Sequence, residues 1–399
     1  MATPATDDVR SLEGLLAARE IVICCGSGGV GKTTTAAASA AMAAVHLGGR
    51  VLVVTVDPAK RLATALGLAG GIGNTETRVP DEAFAQAGVV PRGEMWAAML
   101  DTKQSWDALV HAHAPDPKTE AAILANPLYQ NISGRFVQSH DYIAMERLYE
   151  VHSSGRFDLI VVDTPPTRNA IDFLEAPGRM ADFFSSRLLK WLTAPARNRV
   201  LNLATRPFYQ IADRILGSAF LEDIAEFFLL FQTMYDGFVA RAEAVTRLLH
   251  DRRTTFVVVS TLEPAPLREA EFFLDALRDR DFALGAVVLN KVLPASLRDT
   301  RAASVAKSMA ADPAQVLTES VRRAAHLDGA SDVAAAQRVV QAVGENYLRF
   351  AIAASREAEA RAALRSTGAI ISAVPYSQRE VVDVGALLEL GAQMWSSPT

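Results

Sequence analysis

Nine consecutive residues, Gly26, Ser27, Gly28, Gly29, Val30, Gly31, Lys32, Thr33 and Thr34, have the composition and spacing of a phosphate-binding loop. Glycines let backbone N–H groups turn inward on a polyphosphate, and the Ala-rich stretch that follows, to about Leu47, adds the positive end of a helix. Lys32 then reaches the β- and γ-phosphates, and the Thr33 hydroxyl ligates Mg²⁺. A nucleotide hydrolase also needs a carboxylate for the metal and a group that orients water. FDLIVVDTPPT places Asp163 just past an apolar run, where an aspartate has no packing purpose, and this predicts a Mg²⁺ ligand, direct or through water. VLVVTVDPAKR places Asp57 at the same kind of boundary, facing the crevice where α/β sheets bind ligands, and we assign it to polarising the attacking water. Either aspartate would otherwise serve as a helix cap or turn residue. VVLNK ends a run with Asn290 and Lys291, and ISAVPYS ends another with Pro375. Asn290 can pair with a base edge, although asparagine is also common at strand ends.

The elements that must position these groups are short β-branched runs set between longer helical patterns. Seven runs stand out: Ile21 to Cys25, Val51 to Val56, Met95 to Leu100, Leu159 to Val162, Thr255 to Ser260, Ala286 to Leu289, and Ala369 to Val374. VLVVTV and LIVV are continuously apolar without alternation, which predicts strands covered by helices on both faces, as in a parallel sheet. The expected fold is therefore α/β, a P-loop NTPase with a mostly parallel doubly wound sheet. Residues 18–178 and 254–399 form its core, 1–17 an N-terminal tail, and 179–253, which has no strand signal, an α-helical insert subdomain. In the insert Ile224, Phe228, Phe231, Tyr235, Phe238, Ala242, Val245 and Leu249 follow helical spacing, widened by Phe227, Leu230 and Met234. A second strandless stretch, from about Asp299 to Arg365, places Ala336, Val340, Val343, Tyr347 and Phe350 on one helical face and is expected to pack on the sheet.

Composition limits the partners. The 40 basic and 45 acidic side chains give a net charge of -5, so no global field holds a nucleic-acid backbone and any anion site must be local. Two cysteines, adjacent at Cys24 and Cys25, cannot form a disulfide framework, and neighbours in a strand point to opposite faces. Their scarcity, with an acidic MATPATDD start unlike a secretory leader, predicts a cytoplasmic protein. The apolar stretches, such as Phe227 to Tyr235, fall well short of the roughly 20 residues needed to cross a bilayer. His111 and His113 read as a solvated pair rather than a metal site.

Taken together, GSGGVGKTTT, TVDPAKRLATALG, VVDTPPTRNAIDFL and VVLNK resemble the arsenite-pump and tail-anchored-protein targeting ATPases, the anion-transporting ATPase family, over nearly the whole chain. The resemblance implies an ATPase with ATP and Mg²⁺ as cofactors that closes as a dimer across two facing nucleotides. It places Asp57 in the first switch, Asp163 at the opening of the second, Asn290 on adenine, and the loop from Pro375 beside the base. Two departures matter. The family's signature lysine, which reaches the partner's phosphates, is replaced here by Ser27, and this implies a heterodimer with a paralogous P-loop ATPase that keeps its lysine. The Cys pair that holds zinc in targeting ATPases is absent, and so are insert cysteines for a metalloid, so neither zinc nor arsenite is expected as a ligand.

Between Arg179 and Arg214 the insert is basic and apolar, with seven Lys or Arg side chains against Asp182 and Asp213. Phe183, Phe184, Leu188, Trp191 and Leu192 suit either an apolar client helix or membrane surface, or a core-packed helix pair with a solvated basic edge. Three functions follow: an ATP-driven switch whose insert handles an apolar client, an ATPase subunit of an anion or metalloid pump, and a weakly hydrolysing nucleotide-binding scaffold.

Overall fold

The computed structural model describes residues 10–396, apart from 57–59, 69–70, 128, 131–136, all but a few positions of 166–234, 327–328 and 378. All seven apolar runs form strands of one eight-stranded sheet. These are β1 (Ile21–Cys25), β2 (Arg50–Thr55), β4 (Glu94–Met99), β5 (Leu159–Asp163), β6 (Thr254–Ser260), β7 (Leu284–Val292) and β8 (Ile370–Pro375). The eighth, β3 (Thr77–Arg78), is a two-residue antiparallel edge beside β4. The order is β3-β4-β2-β5-β1-β6-β7-β8, and every pair other than β3 with β4 is parallel. Parallel pairing requires crossovers, and the helices that make them cover both faces.

Each face has its own core. Val22 and Cys24 of β1 join Val51, Val53, Leu159 and Val161 beneath helices α1 (Leu12–Ala17) and α2 (Lys32–His46). Ile21, Ile23 and Cys25 point the other way, toward α3 (Val137–Ser153), α4 (Tyr235–Leu249) and α5 (Pro264–Asp279). The adjacent cysteines therefore lie on opposite faces, as the strand period requires. Helix α2 carries seven alanines, and twelve of its fifteen residues are buried, because small side chains let the backbone sit close to the strands. Among the described residues of the expected insert, the end of α4 belongs to the sheet layer: Val245, Leu248 and Leu249 pack with Phe256 of β6. Phe183, Phe184, Leu188, Trp191, Leu192, Phe228 and Phe231 lie outside the described residues.

The second strandless stretch is helical but does not lie flat on the sheet. Helix α6 (Thr300–Ala311) pairs with α7 (Ala330–Leu364), which is 35 residues and so about 52 Å long. Only the last turns of α7 reach the sheet core, through Ala360 and Leu364. Val343 and Phe350, on the face expected to be buried, remain 50% and 53% exposed. The apolar period fixed the helix but carried no information about what would cover it. A final helix, α8 (Val384–Ser396), closes over α2. No helix among the described residues is long and apolar enough to cross a membrane.

Candidate active site

The phosphate loop leaves the C-terminal end of β1 and turns into α2 between the ends of β5 and β6. Two glycines are dictated by space and torsion. A methyl group at Gly26 would collide with the carbonyl oxygen of Val259 on β6. Gly31 caps α2 with φ at 97°, a left-handed torsion that disfavours side chains, and a methyl there would strike the Asn290 amide. We therefore expect Gly26→Ala to cost about 1–3 kcal/mol by overpacking and to weaken nucleotide binding, because β6 and the loop must separate. Chemical denaturation measures the first and nucleotide titration the second.

Lys32 is the first residue of α2 and is buried. Its Nζ folds back and donates to the Ser27 carbonyl oxygen at 3.0 Å, a bond across the mouth of the loop. The ammonium is thus held where a β- or γ-phosphate oxygen would replace the carbonyl, and a charge-assisted bond would replace a neutral acceptor. Ser27 itself is 7% exposed.

Asp163 ends β5 and is 1% exposed. Its Oδ2 accepts from Thr33 Oγ1 at 2.6 Å and from Thr55 Oγ1 at 3.0 Å. The two metal ligands expected from the sequence are therefore brought into direct contact, 130 residues apart in the chain. Sequence reasoning missed Thr55, which stands beside Asp163 because the β2–β5 register pairs the two residues. Thr164, next in the chain, donates to the Cys24 carbonyl oxygen at 2.9 Å and pins the exit of β5 to β1. A hydroxyl and a carboxylate are hard oxygen donors, and such a sparse protein set suits Mg²⁺, which keeps water and phosphate in its remaining positions. When bound, the ion would neutralise charge on the β- and γ-phosphates, with Thr33 and Asp163 holding it.

Asn290 lies within β7, two residues before its end, rather than closing it. Its Nδ2 donates to the Val30 carbonyl oxygen at 2.8 Å and its Oδ1 accepts from Lys291 N at 2.9 Å, so in this arrangement the amide ties β7 to the phosphate loop. Lys291 takes φ of 59° where the β7–β8 register shifts. Pro375 is the exposed last residue of β8. Asp57 lies outside the described residues. Of the expected site, the structure brings together the phosphate loop, Lys32, Thr33, Asp163 and Asn290.

Burial pushes the Cys24 thiol up and the Cys25 thiol to about 12, so both stay protonated and neither has thiolate character for binding a soft metal. His111 Nδ1 contacts Glu120 Oε1 at 2.8 Å, and that hydrogen bond raises its pKa, while burial lowers that of His113. Among the described residues no group of three or more His, Cys, Asp or Glu side chains is placed to hold a metal ion.

A comparison with curated proteins found no match to this chain. Residues 19–320, some three quarters of the sequence and all of the phosphate site as far as Asn290, match the anion-transporting ATPase family. With a phosphate loop on a parallel sheet and a Thr33–Asp163 pair at its mouth, the chain belongs to the anion-transporting ATPases, an ATP-hydrolysing family of P-loop proteins.

Proposed function

We propose that this ATPase is a Mg²⁺-dependent conformational switch that works as a heterodimer with a paralogous P-loop ATPase. The single observation behind the pairing is Ser27 at the loop position where the family pattern has a lysine. Its short, buried side chain cannot carry a charge across a dimer to a facing nucleotide. A charge delivered in trans to a phosphoryl-transfer site is worth about 10³ to 10⁵ in rate. A homodimer would lack it at both sites. A partner with the lysine would complete the site built here by Lys32, Thr33, Asp57 and Asp163, while its own site, facing Ser27, stays weak. Asn290 and the loop from Pro375 would then receive the adenine, once the Asn290 amide leaves Val30. The basic and apolar segment 179–214 would handle an apolar client or a membrane protein.

Sedimentation and ATPase assays on the isolated chain test this reading. The chain alone should turn over at least about 10³-fold more slowly than the assembly recovered from cells. Ser27→Lys should raise activity at the facing site. A stable homodimer as fast as any cellular assembly would overturn the heterodimer and assign the trans charge to another basic residue, such as Lys60, Arg61 or Arg168.

A further inference from the structure

On the sheet face opposite α2, a cavity of about 370 Å³ opens where the end of α7 passes the carboxyl ends of β7 and β8. It exists because α7 presents alanines at four-residue spacing, Ala354, Ala358 and Ala362, to the strand ends, where larger side chains would fill the gap. Its volume is that of a small-molecule site. Three guanidinium groups share its wall: Arg361 from α7, Arg365 just past the end of that helix, and Arg298 from the short turn that follows β7. Among the described residues neither Arg298 nor Arg365 forms an ion pair. Burial, and then the like charges of Arg365 and Arg298, hold Arg361 below its ordinary value, so the three cations repel one another across the space. The one carboxylate on the wall, Glu357, is occupied by the backbone N–H of Leu293 at 2.9 Å. Burial and the neighbouring Glu263 push its pKa up, which weakens it further as a counter-charge.

Arg298 and Arg365, with no ion pair among the described residues, leave positive charge facing a cavity with an apolar floor of Leu262, Val292 and Ala373. We propose that this cavity binds a small organic anion with at least two carboxylate or phosphate groups, its carbon skeleton against the floor and its charges on Arg298, Arg361 and Arg365. Its floor lies on the sheet face opposite the α2 core, and its rim includes Pro375, where the loop expected beside the base begins. Arg298 and Arg361 are 63 positions apart, so only the fold assembles it.

Citrate, whose three carboxylates match the three guanidiniums, is the probe. Calorimetric titration of the full chain in Mg²⁺-free buffer, against sodium chloride at equal ionic strength, should show saturable binding at one site. Arg365→Gln changes an exposed residue and leaves the core intact, and it should weaken citrate about tenfold by removing a charge-assisted bond. Ala358→Leu, which fills the cavity without altering charge, should weaken it at least as much. Lys32→Ala should leave it unchanged. The proposal fails if citrate gives no saturable heat beyond the salt control. It also fails if binding is indifferent to both Arg365→Gln and Ala358→Leu, or is lost with Lys32→Ala.

Discussion

Lys32→Ala is expected to lower affinity for ATP about 30- to 150-fold while leaving the fold intact. The ammonium is the cation the phosphate loop supplies from within, and it is buried at the head of α2. A charge-assisted bond to a phosphate oxygen in such a site is worth about 2–3 kcal/mol, and each 1.4 kcal/mol is tenfold. The free protein loses less, because the bond given up there is to a neutral carbonyl, that of Ser27. Binding therefore suffers more than stability. Equilibrium titration with a fluorescent ATP analogue reads the first quantity and thermal melting of the free protein the second. Affinity within a few-fold of the parent would show that Lys32 stays on Ser27 when nucleotide is bound, and the reading of the loop would be wrong. Gly26→Ala makes a useful contrast, since its damage begins in the packing against β6 and should appear in stability first.

The sheet was legible because parallel strands buried on both faces leave continuous apolar runs, and all seven such runs became strands. β3 was not, because two residues on an edge, Thr77 and Arg78, carry no pattern. The phosphate loop and Asp163 could be read because phosphate binding forces residue types at fixed spacing. Thr55 could not: its contact with Asp163 arises from the register of β2 on β5, a property of two strands 108 residues apart. Asn290 was found for its type, yet the structure gives its amide to Val30, a partner 260 residues away. Helix α7 shows a different limit. Its spacing announced a helix and a face, but Val343 and Phe350 on that face are left half exposed beside α6. The arginines of the α7 cavity carried no pattern in the sequence, because only the fold places Arg298 beside Arg361 and Arg365.

Asp163→Asn should separate metal binding from nucleotide binding. The carboxylate is buried at the end of β5 and receives two hydroxyl donors on one oxygen, Thr33 at 2.6 Å and Thr55 at 3.0 Å. An asparagine of the same shape can still offer its carbonyl oxygen to those hydroxyls, so the loop should keep its geometry. What disappears is the negative charge that would favour a divalent cation beside Thr33. ATP affinity without Mg²⁺ should stay within a few-fold of the parent or rise slightly, because a carboxylate no longer opposes the phosphates. The gain in affinity on adding Mg²⁺ should vanish, and turnover of the assembled enzyme should fall about 10²- to 10³-fold, the usual effect of removing one fixed electrostatic contact to a reacting group. Asp57→Asn supplies the comparison, since a residue that only polarises water should leave the Mg²⁺-dependent gain intact and still remove hydrolysis. Titrating nucleotide with and without Mg²⁺ on both variants reads the difference directly. If Asp163→Asn kept the full Mg²⁺ effect, the Thr33–Asp163 contact would be a purely structural tie between α2 and β5, and the metal ligand would have to be sought elsewhere.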